Sequence, residues 1–422
     1  MTAPLRRSAY RRLAASLTFS LLATGSWTLA AVWQVLALGG GVVQVSVVSA
    51  ATAGASVATF LLGGVLADRV RPARLLAGTE GVRTVSAAAV AALSATGHLT
   101  VGLLVCAAVV QGTAGGLYMP SYSALLVRVV EPGELLPANG LEGVLRPVLV
   151  QALGPALAGA LVAHASPAAA IGVTAVVAAA SAVAAARLPA TAPATTGGLS
   201  LWSGLREGLA HVARTRWLST TLLYSSVATL LVMGPMEVLT PFAIRAAGGG
   251  PGDHALVLAA LGTGAAAGSL AVMGASVPRR YLTTMMVCWA LACLPLAVFG
   301  LGSPVWLMVA AGFVVGALFN APMVIWGTVL QRRVPRELLG RVSGLDFFVS
   351  LGLLPLSIAL AGPVGQAAGL RPTFLVAAIV PAALALVAIA AGRLASDEVA
   401  HPLGTAGPGT GPAATPRPGS TT

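Results

Sequence analysis

Apolar residues fill this chain in long runs separated by short polar turns. A helix needs about 20 consecutive apolar residues to cross a bilayer. On that measure the pattern predicts twelve spans, at 13–38, 42–66, 75–96, 99–127, 138–163, 167–187, 217–242, 254–276, 281–301, 304–329, 341–362 and 372–392. Arg6, Arg7, Arg11 and Arg12 precede the first run as in a signal peptide, but the run is too long and eleven more follow, so a retained span is expected. The pattern breaks between 188 and 216. Pro189 to Gly198 is polar, and 200–217 sets Leu201, Trp202, Leu205, Leu209, Val212 and Trp217 opposite Arg206, Glu207, Arg214 and Arg216. That arrangement suits a helix lying in a membrane interface. Residues 396–422, rich in Pro, Gly and Thr, are predicted to be a disordered tail. The expected organisation is an all-α integral membrane protein with a six-helix bundle over 1–188 and a linker with its interfacial helix over 189–216. A second six-helix bundle follows over 217–395, and then the tail.

Composition agrees with the pattern. Hydrophobic residues make up 57% of the 422 and charged residues 9%, and mean hydropathy is +0.90. Soluble domains carry about 25% charged residues, so this chain has too few to cover a soluble globule. Fifty glycines and many alanines fit helices that pack through small residues in lipid. A net charge of +12 could point to nucleic acid, but its placement argues against that. All 24 basic residues are arginine. Without lysine there is no Walker A phosphate loop, no Schiff base and no Ser-x-x-Lys nucleophile. The three cysteines, Cys106, Cys288 and Cys293, fall inside apolar runs in an odd number, which argues against a disulfide framework. The histidines lie near predicted loops or tails without metal-ligand spacing. No catalytic site, metal site or cofactor is expected.

The arginines also give an orientation. With the N-terminus in the cytoplasm, twenty fall on the cytoplasmic side and only Arg245 and Arg371 outside, while Arg83 and Arg146 lie within spans. Positive charge favours the inside, so both termini are expected in the cytoplasm. The two halves share a pattern as well. Pro132-x-Glu134-Leu135-Leu136 recurs 203 residues later as Pro335-x-Glu337-Leu338-Leu339, and Ala156-Leu157-Ala158-Gly159 recurs at that offset as Ala359-Leu360-Ala361-Gly362. Pro120 and Pro322 stand 202 apart. Repeated six-span halves suggest a transporter that rocks about a site at their interface.

The turn between spans 2 and 3 reads Gly63-Gly64-Val65-Leu66-Ala67-Asp68-Arg69-Val70-Arg71-Pro72-Ala73-Arg74. An acid at a helix C-terminus meets partial negative charge unless something answers it. Gly64-x-Leu66-Ala67-Asp68-Arg69 resembles the signature of the major facilitator superfamily, with departures at Arg71, Pro72 and Ala73 and one basic residue kept at Arg74. Gly154-Pro155-x-x-Ala158-Gly159 on span 5 resembles the motif of that superfamily's antiporters, although Val150 stands where an earlier glycine is usual. Within the superfamily three segments are similar to the transmembrane secretion effector group, with its enterobactin-exporter and macrolide-efflux relatives. They are 120–139, Gly234 to Pro241, and Leu330 to Val342. The resemblance covers about residues 10–395. It implies two pseudo-symmetric six-helix bundles and a conformational latch of Gly64, Asp68, Arg69, Arg74 and Arg341. In that latch Asp68 meets the start of span 11 near Arg341, where an anion gains from unpaired amides.

Ionisable groups inside spans are costly and point to function. Glu80 with Arg83 and Glu142 with Arg146 are spaced to pair on their own helices, as structural ion pairs. Glu237 and Asp346 have no base three or four positions away, which suits reversible protonation and makes them the candidates for proton coupling. The superfamily lines its cavity with spans 1, 4, 7 and 10. The candidates there include Trp27, Gln34, Gln111, Tyr118, Tyr224, Met233, Asn320 and Trp326, a set suited to a large, mostly apolar ligand.

The function expected is a secondary transporter in the cytoplasmic membrane, a monomer exporting a small, largely apolar drug or secondary metabolite in exchange for protons. An uptake permease is the alternative within the class, and a non-transporting sensor or scaffold the alternative outside it. The expected partners are the small-molecule substrate, protons and the lipid bilayer, with no nucleic acid.

Overall fold

The computed structural model describes residues 6–131, 134–189, 209–273, 278–335, 342, 345–346 and 348–403; within span 2 and in parts of 135–144 it describes the helix but not the side chains. The described residues are helix and turn throughout, and successive helices reverse direction. The first six spans are Ser8–Ala37, Val42–Arg69, Pro72–Ala95, Val101–Val129, the pair Leu135–Pro147 and Gly154–His164, and Pro167–Ala186. The second six begin with Arg216–Gly234 continued by Thr240–Ala246, then Pro251–Met273, and Tyr281–Cys293 continued to Gly300. Val305–Arg333, the helix from Phe348 to Ala368, and Leu370–Ala391 complete them. Eleven of these are long and apolar enough to cross a membrane. The remaining one, span 3, is a 24-residue helix at its predicted place, made more polar by Arg74, Glu80 and Arg83. The chain is a multi-pass integral membrane protein.

Boundaries follow local chemistry. Thr100 and Ser166 cap spans 4 and 6, each side chain accepting an amide three residues on, from Leu103 and Ala169. Gly39 and Gly97 end spans 1 and 3 with φ of +76° and +75°, the left-handed backbone that glycine adopts without strain. Span 10 runs to Arg333 rather than stopping near 329, with Arg333 held by Asp397 and the Tyr281 hydroxyl. Span 11 extends to Ala368, beyond the predicted 362.

Small residues bring the helices together. A methyl added at Gly112 would lie 2.1 Å from the Thr52 carbonyl oxygen of span 2, and one added at Gly316 would lie 2.0 Å from that of Leu261 on span 8. Spans 2 and 4, and likewise 8 and 10, therefore pack backbone to backbone, as helices in lipid do. The repeated Ala-Leu-Ala-Gly element makes the corresponding contacts between the halves. Gly159 meets Ala255 and the Pro251 carbonyl of span 8, and Gly362 meets Ser46 and the Val42 carbonyl of span 2.

These contacts lie at the far end, opposite the N-terminus. There the Ser46 hydroxyl donates to the Ile358 and Ala359 carbonyls and accepts from the Gly362 amide. At the near end each bundle ties its own helices. Arg12 donates to the Arg187 carbonyl at 2.7 Å, and Arg216 to that of Ala391 at 2.6 Å. Arg7 pairs with Glu131, and with Glu134 at 2.8 Å.

Candidate functional site

The first half encloses an ionic cluster. Glu80 and Arg83 lie on the same face of span 3, both buried, with Nη1 and Oε1 3.0 Å apart. Burying two charges is costly unless their remaining donors and acceptors are satisfied. Here Ser20 donates to Glu80 at 2.8 Å, and Arg83 reaches the Ser20 hydroxyl, Thr24 at 3.0 Å and Gln111 at 3.0 Å. Gln111 in turn donates to the Arg83 carbonyl at 3.1 Å. One oxygen of Glu80, Oε2, is buried without a partner among the described residues. One turn away, Tyr118 shares a hydrogen bond with Ser16, which also contacts Ser181. Spans 1, 3, 4 and 6 are thus joined by polar side chains at their core.

Glu142 and Arg146 form a half-buried counterpart at 2.6 Å, and Arg146 also meets the Met119 sulfur. The pair stands just before a π-helical turn, Val148–Leu153, ahead of Gly154 and Pro155. Span 5 packs tightly on span 1 here: Ser26 donates to the Gly154 carbonyl at 3.1 Å, and Gly25 and Gly154 touch backbone to backbone.

A second π-turn, Pro235–Leu239, interrupts span 7 and carries Glu237. Such turns are rare and occur often at functional sites. Ser357 of span 11 fastens its start, accepting the Gly234 amide at 2.8 Å and donating to the Leu230 carbonyl at 2.6 Å. Glu237 itself is half-buried, with no hydrogen bond or ion pair among the described residues. Sequence reading identified the acid but not the turn. Proline at the first position of that turn, after a glycine, was the available signal.

Asp346 is held differently. It accepts the Trp326 indole N–H at 2.9 Å and the Ser350 hydroxyl at 3.3 Å, so it joins span 10 to span 11. Trp326 meets Trp217 edge to face at 6.0 Å, and the Arg333 guanidinium lies 4.6 Å over the Trp217 ring. Arg333 also pairs with Asp397 and donates to the Tyr281 hydroxyl. The first residues of the predicted tail are therefore ordered: Leu394–Ala400 is a helix. Its Glu398, fully buried, accepts the Leu282 amide at 2.8 Å, the Thr283 amide at 3.1 Å and the Thr283 hydroxyl at 2.7 Å. A carboxylate there answers the unpaired amides and positive dipole end that open span 9. Arg333, Asp397 and Glu398 escaped sequence reading because their partners are distant in the chain.

Of the latch residues, Gly64, Asp68 and Arg69 lie on the described helix, but their side chains fall outside the described set, as does all of Arg341. Arg74 is exposed at the start of span 3. Most of the interfacial helix predicted at 200–217 also lies outside, while 209–214 are helical. Among the cavity candidates, Trp27, Gln34, Gln111, Tyr118, Tyr224 and Trp326 are buried. Gln34 accepts from Ser94, Tyr118 stacks on Tyr122, and Tyr224 stacks on Trp289. Packing within one half accounts for those contacts. Met233 and Asn320 are half-buried. A groove of about 610 Å³ between spans 3 and 4 is lined by Val82, Val85 and Leu103, exposed apolar side chains of the kind that face lipid.

The Major Facilitator Superfamily family model matches residues 13–354. The multidrug efflux pump Tap of Mycolicibacterium fortuitum is 32% identical over 203 residues, 47% of this chain and 48% of Tap. The chain thus spans about half the length of this curated relative. An MFS-type transporter of Sinorhizobium fredii, y4rN, is 32% identical over 72% of this chain and 75% of its own. Among solved structures, the nucleoside transporter NupG superposes with a TM-score of 0.73 at 14% identity, covering 90% of this chain and 98% of NupG. A bacterial homologue of the lysosomal transporter Spinster, inward-facing and unoccupied, gives 0.63 at 16%, covering 92% and 98%. At those identities the superpositions speak for the fold, and the family match fixes the class. The chain belongs to the major facilitator superfamily, whose members move small molecules across membranes and are not enzymes.

Proposed function

We propose that this protein exports a small, largely apolar molecule, such as a drug or secondary metabolite, in exchange for protons by alternating access. It would act as a monomer in the cytoplasmic membrane, with both termini inside. The observation that carries the reading is Glu237: a carboxyl with no ionic partner among the described residues, on a π-turn in span 7, a span that the superfamily resemblance assigns to the cavity. A lone intramembrane acid is costly to keep and suits a site that takes up and releases a proton. The efflux function named for Tap supports export. A division at 189–216 into two bundles, as the sequence predicts, would allow rocking, and Asp68 against the start of span 11 would latch the near end. Asp346 is the second coupling candidate, and Glu80–Arg83 and Glu142–Arg146 are structural pairs.

Proteoliposomes carrying an imposed proton gradient and a lipophilic dye test the reading. Efflux abolished by an uncoupler is expected, with Glu237→Gln losing gradient-driven transport while retaining substrate exchange. Uncoupler-insensitive transport would refute antiport. If Glu237→Gln and Asp346→Asn both transport normally, the coupling assignment fails.

A further inference from the structure

The side-chain hydrogen bonds that join the two halves among the described residues fall into two groups, both at the far end. One group centres on the Ser46 hydroxyl, which does not titrate at physiological pH. The other is a single bond from Trp33 at the end of span 1 to His254, one turn into span 8. The indole N–H donates to Nδ1 at 3.2 Å, and the ring centroids stand 6.5 Å apart with the planes tilted by 49°. Sequence reading placed His254 near a loop without a role; it is instead 4% exposed.

The chemistry of this bond has one permitted form. An indole N–H can only donate, so Nδ1 must offer a lone pair. Neutral imidazole has one such nitrogen, whereas protonated imidazole carries N–H at both. A proton on Nδ1 would therefore set donor against donor, and the contact would be lost. Other charges at this end leave the ring alone. Asp253 on its own helix accepts the Gly250 amide at 2.9 Å. Span 7 brings Arg245, which is exposed, and Glu237; span 5 brings His164, also exposed. Spans 1 and 10 bring no titratable residue at this end. None of these groups bonds or pairs with the His254 ring, so Trp33 is its polar partner among the described residues.

We propose that His254 is a proton-binding site that works the far-end closure between the halves. Neutral, it accepts the Trp33 N–H and holds span 1 against span 8. Protonated at Nδ1, it releases Trp33, and the far end opens. No covalent bond changes beyond the N–H formed at Nδ1, and the Ser46 hydrogen bonds part as the halves separate; the proton enters from the far-side solution and leaves by the same route. The proposal rests on alternating access, under which the far end faces outward. Protons outside would then favour the state that discharges substrate.

The test uses the full chain in proteoliposomes, with the native cysteines replaced by serine and spin labels at Thr96→Cys and Leu301→Cys, in far-end turns of opposite halves. Pulsed electron resonance reads the distance between them at pH 8 and pH 5. A net hydrogen bond is worth about five- to tenfold in an equilibrium. The long-distance population should therefore rise by that factor on acidification. In His254→Gln the amide oxygen accepts at both pH values, so the far end should stay closed and the response disappear. In Trp33→Phe the long-distance population should be raised and flat with pH, which keeps the question answerable if the histidine variant does not fold. A pH-invariant wild type, or a response surviving in either variant, overturns the proposal. Uncoupler-insensitive efflux alongside an intact pH response would sink the antiport reading and leave the gate standing.

Discussion

Arg83 and Glu80 face each other at 3.0 Å on one side of span 3, both shut away from solvent and fastened to spans 1 and 4 by Ser20, Thr24 and Gln111. Removing one member leaves a buried charge uncompensated, which costs about 3–5 kcal/mol. Glu80→Ala and Arg83→Ala should each lower thermal stability in detergent steeply. The double variant Glu80→Leu/Arg83→Leu should lose less than either single change, since replacing both charges removes the desolvation cost. Intrinsic fluorescence during thermal melting would measure this; additive losses would count against the pair as one unit.

Close helix packing makes a second expectation. An alanine at Gly316 must push its methyl into the Leu261 carbonyl, and overpacking of this kind costs about 3 kcal/mol. Gly327, on the same span, has nothing within 4 Å of an added methyl. Gly327→Ala should leave stability unchanged or raise it by up to about 1 kcal/mol, through a less flexible unfolded chain. Melting temperatures of the two variants should therefore move apart.

The helix Leu394–Ala400 should be part of the folded second half rather than a dispensable tail. Glu398→Ala strips the cap from the Leu282 and Thr283 amides, at a cost of about 1–2 kcal/mol. Truncation after Gly392 should cost at least as much, because it also frees Arg333 from Asp397. A truncated chain melting like the intact one would show that the docked helix contributes nothing.

Orientation can be checked in intact cells. A membrane-impermeant maleimide should modify Thr96→Cys from outside, and Arg74→Cys only after the membrane is opened. The reverse pattern would invert the proposed topology and with it the direction assigned to the far-end gate.

The length of the apolar runs alone located the spans, because a membrane leaves few other ways to bury them, and the repeated Ala-Leu-Ala-Gly element already hinted at paired halves. Spacing on one helix likewise exposed the Glu80–Arg83 and Glu142–Arg146 pairings, since residues three or four apart must be neighbours. Tertiary structure alone decided what those residues meet across helices. Gln111 and Tyr118, predicted to face a cavity, complete buried polar clusters with spans 1, 3 and 6; Asp346 is answered by Trp326; Glu398, predicted to lie in a loose tail, caps a helix begun more than a hundred residues earlier. His254 shows the division most clearly. Its sequence neighbours are a turn and an acid, and nothing in them reveals that an indole from the other half supplies its polar partner among the described residues. Local order follows from chain geometry, but the partner of a buried polar group is set by which helices touch.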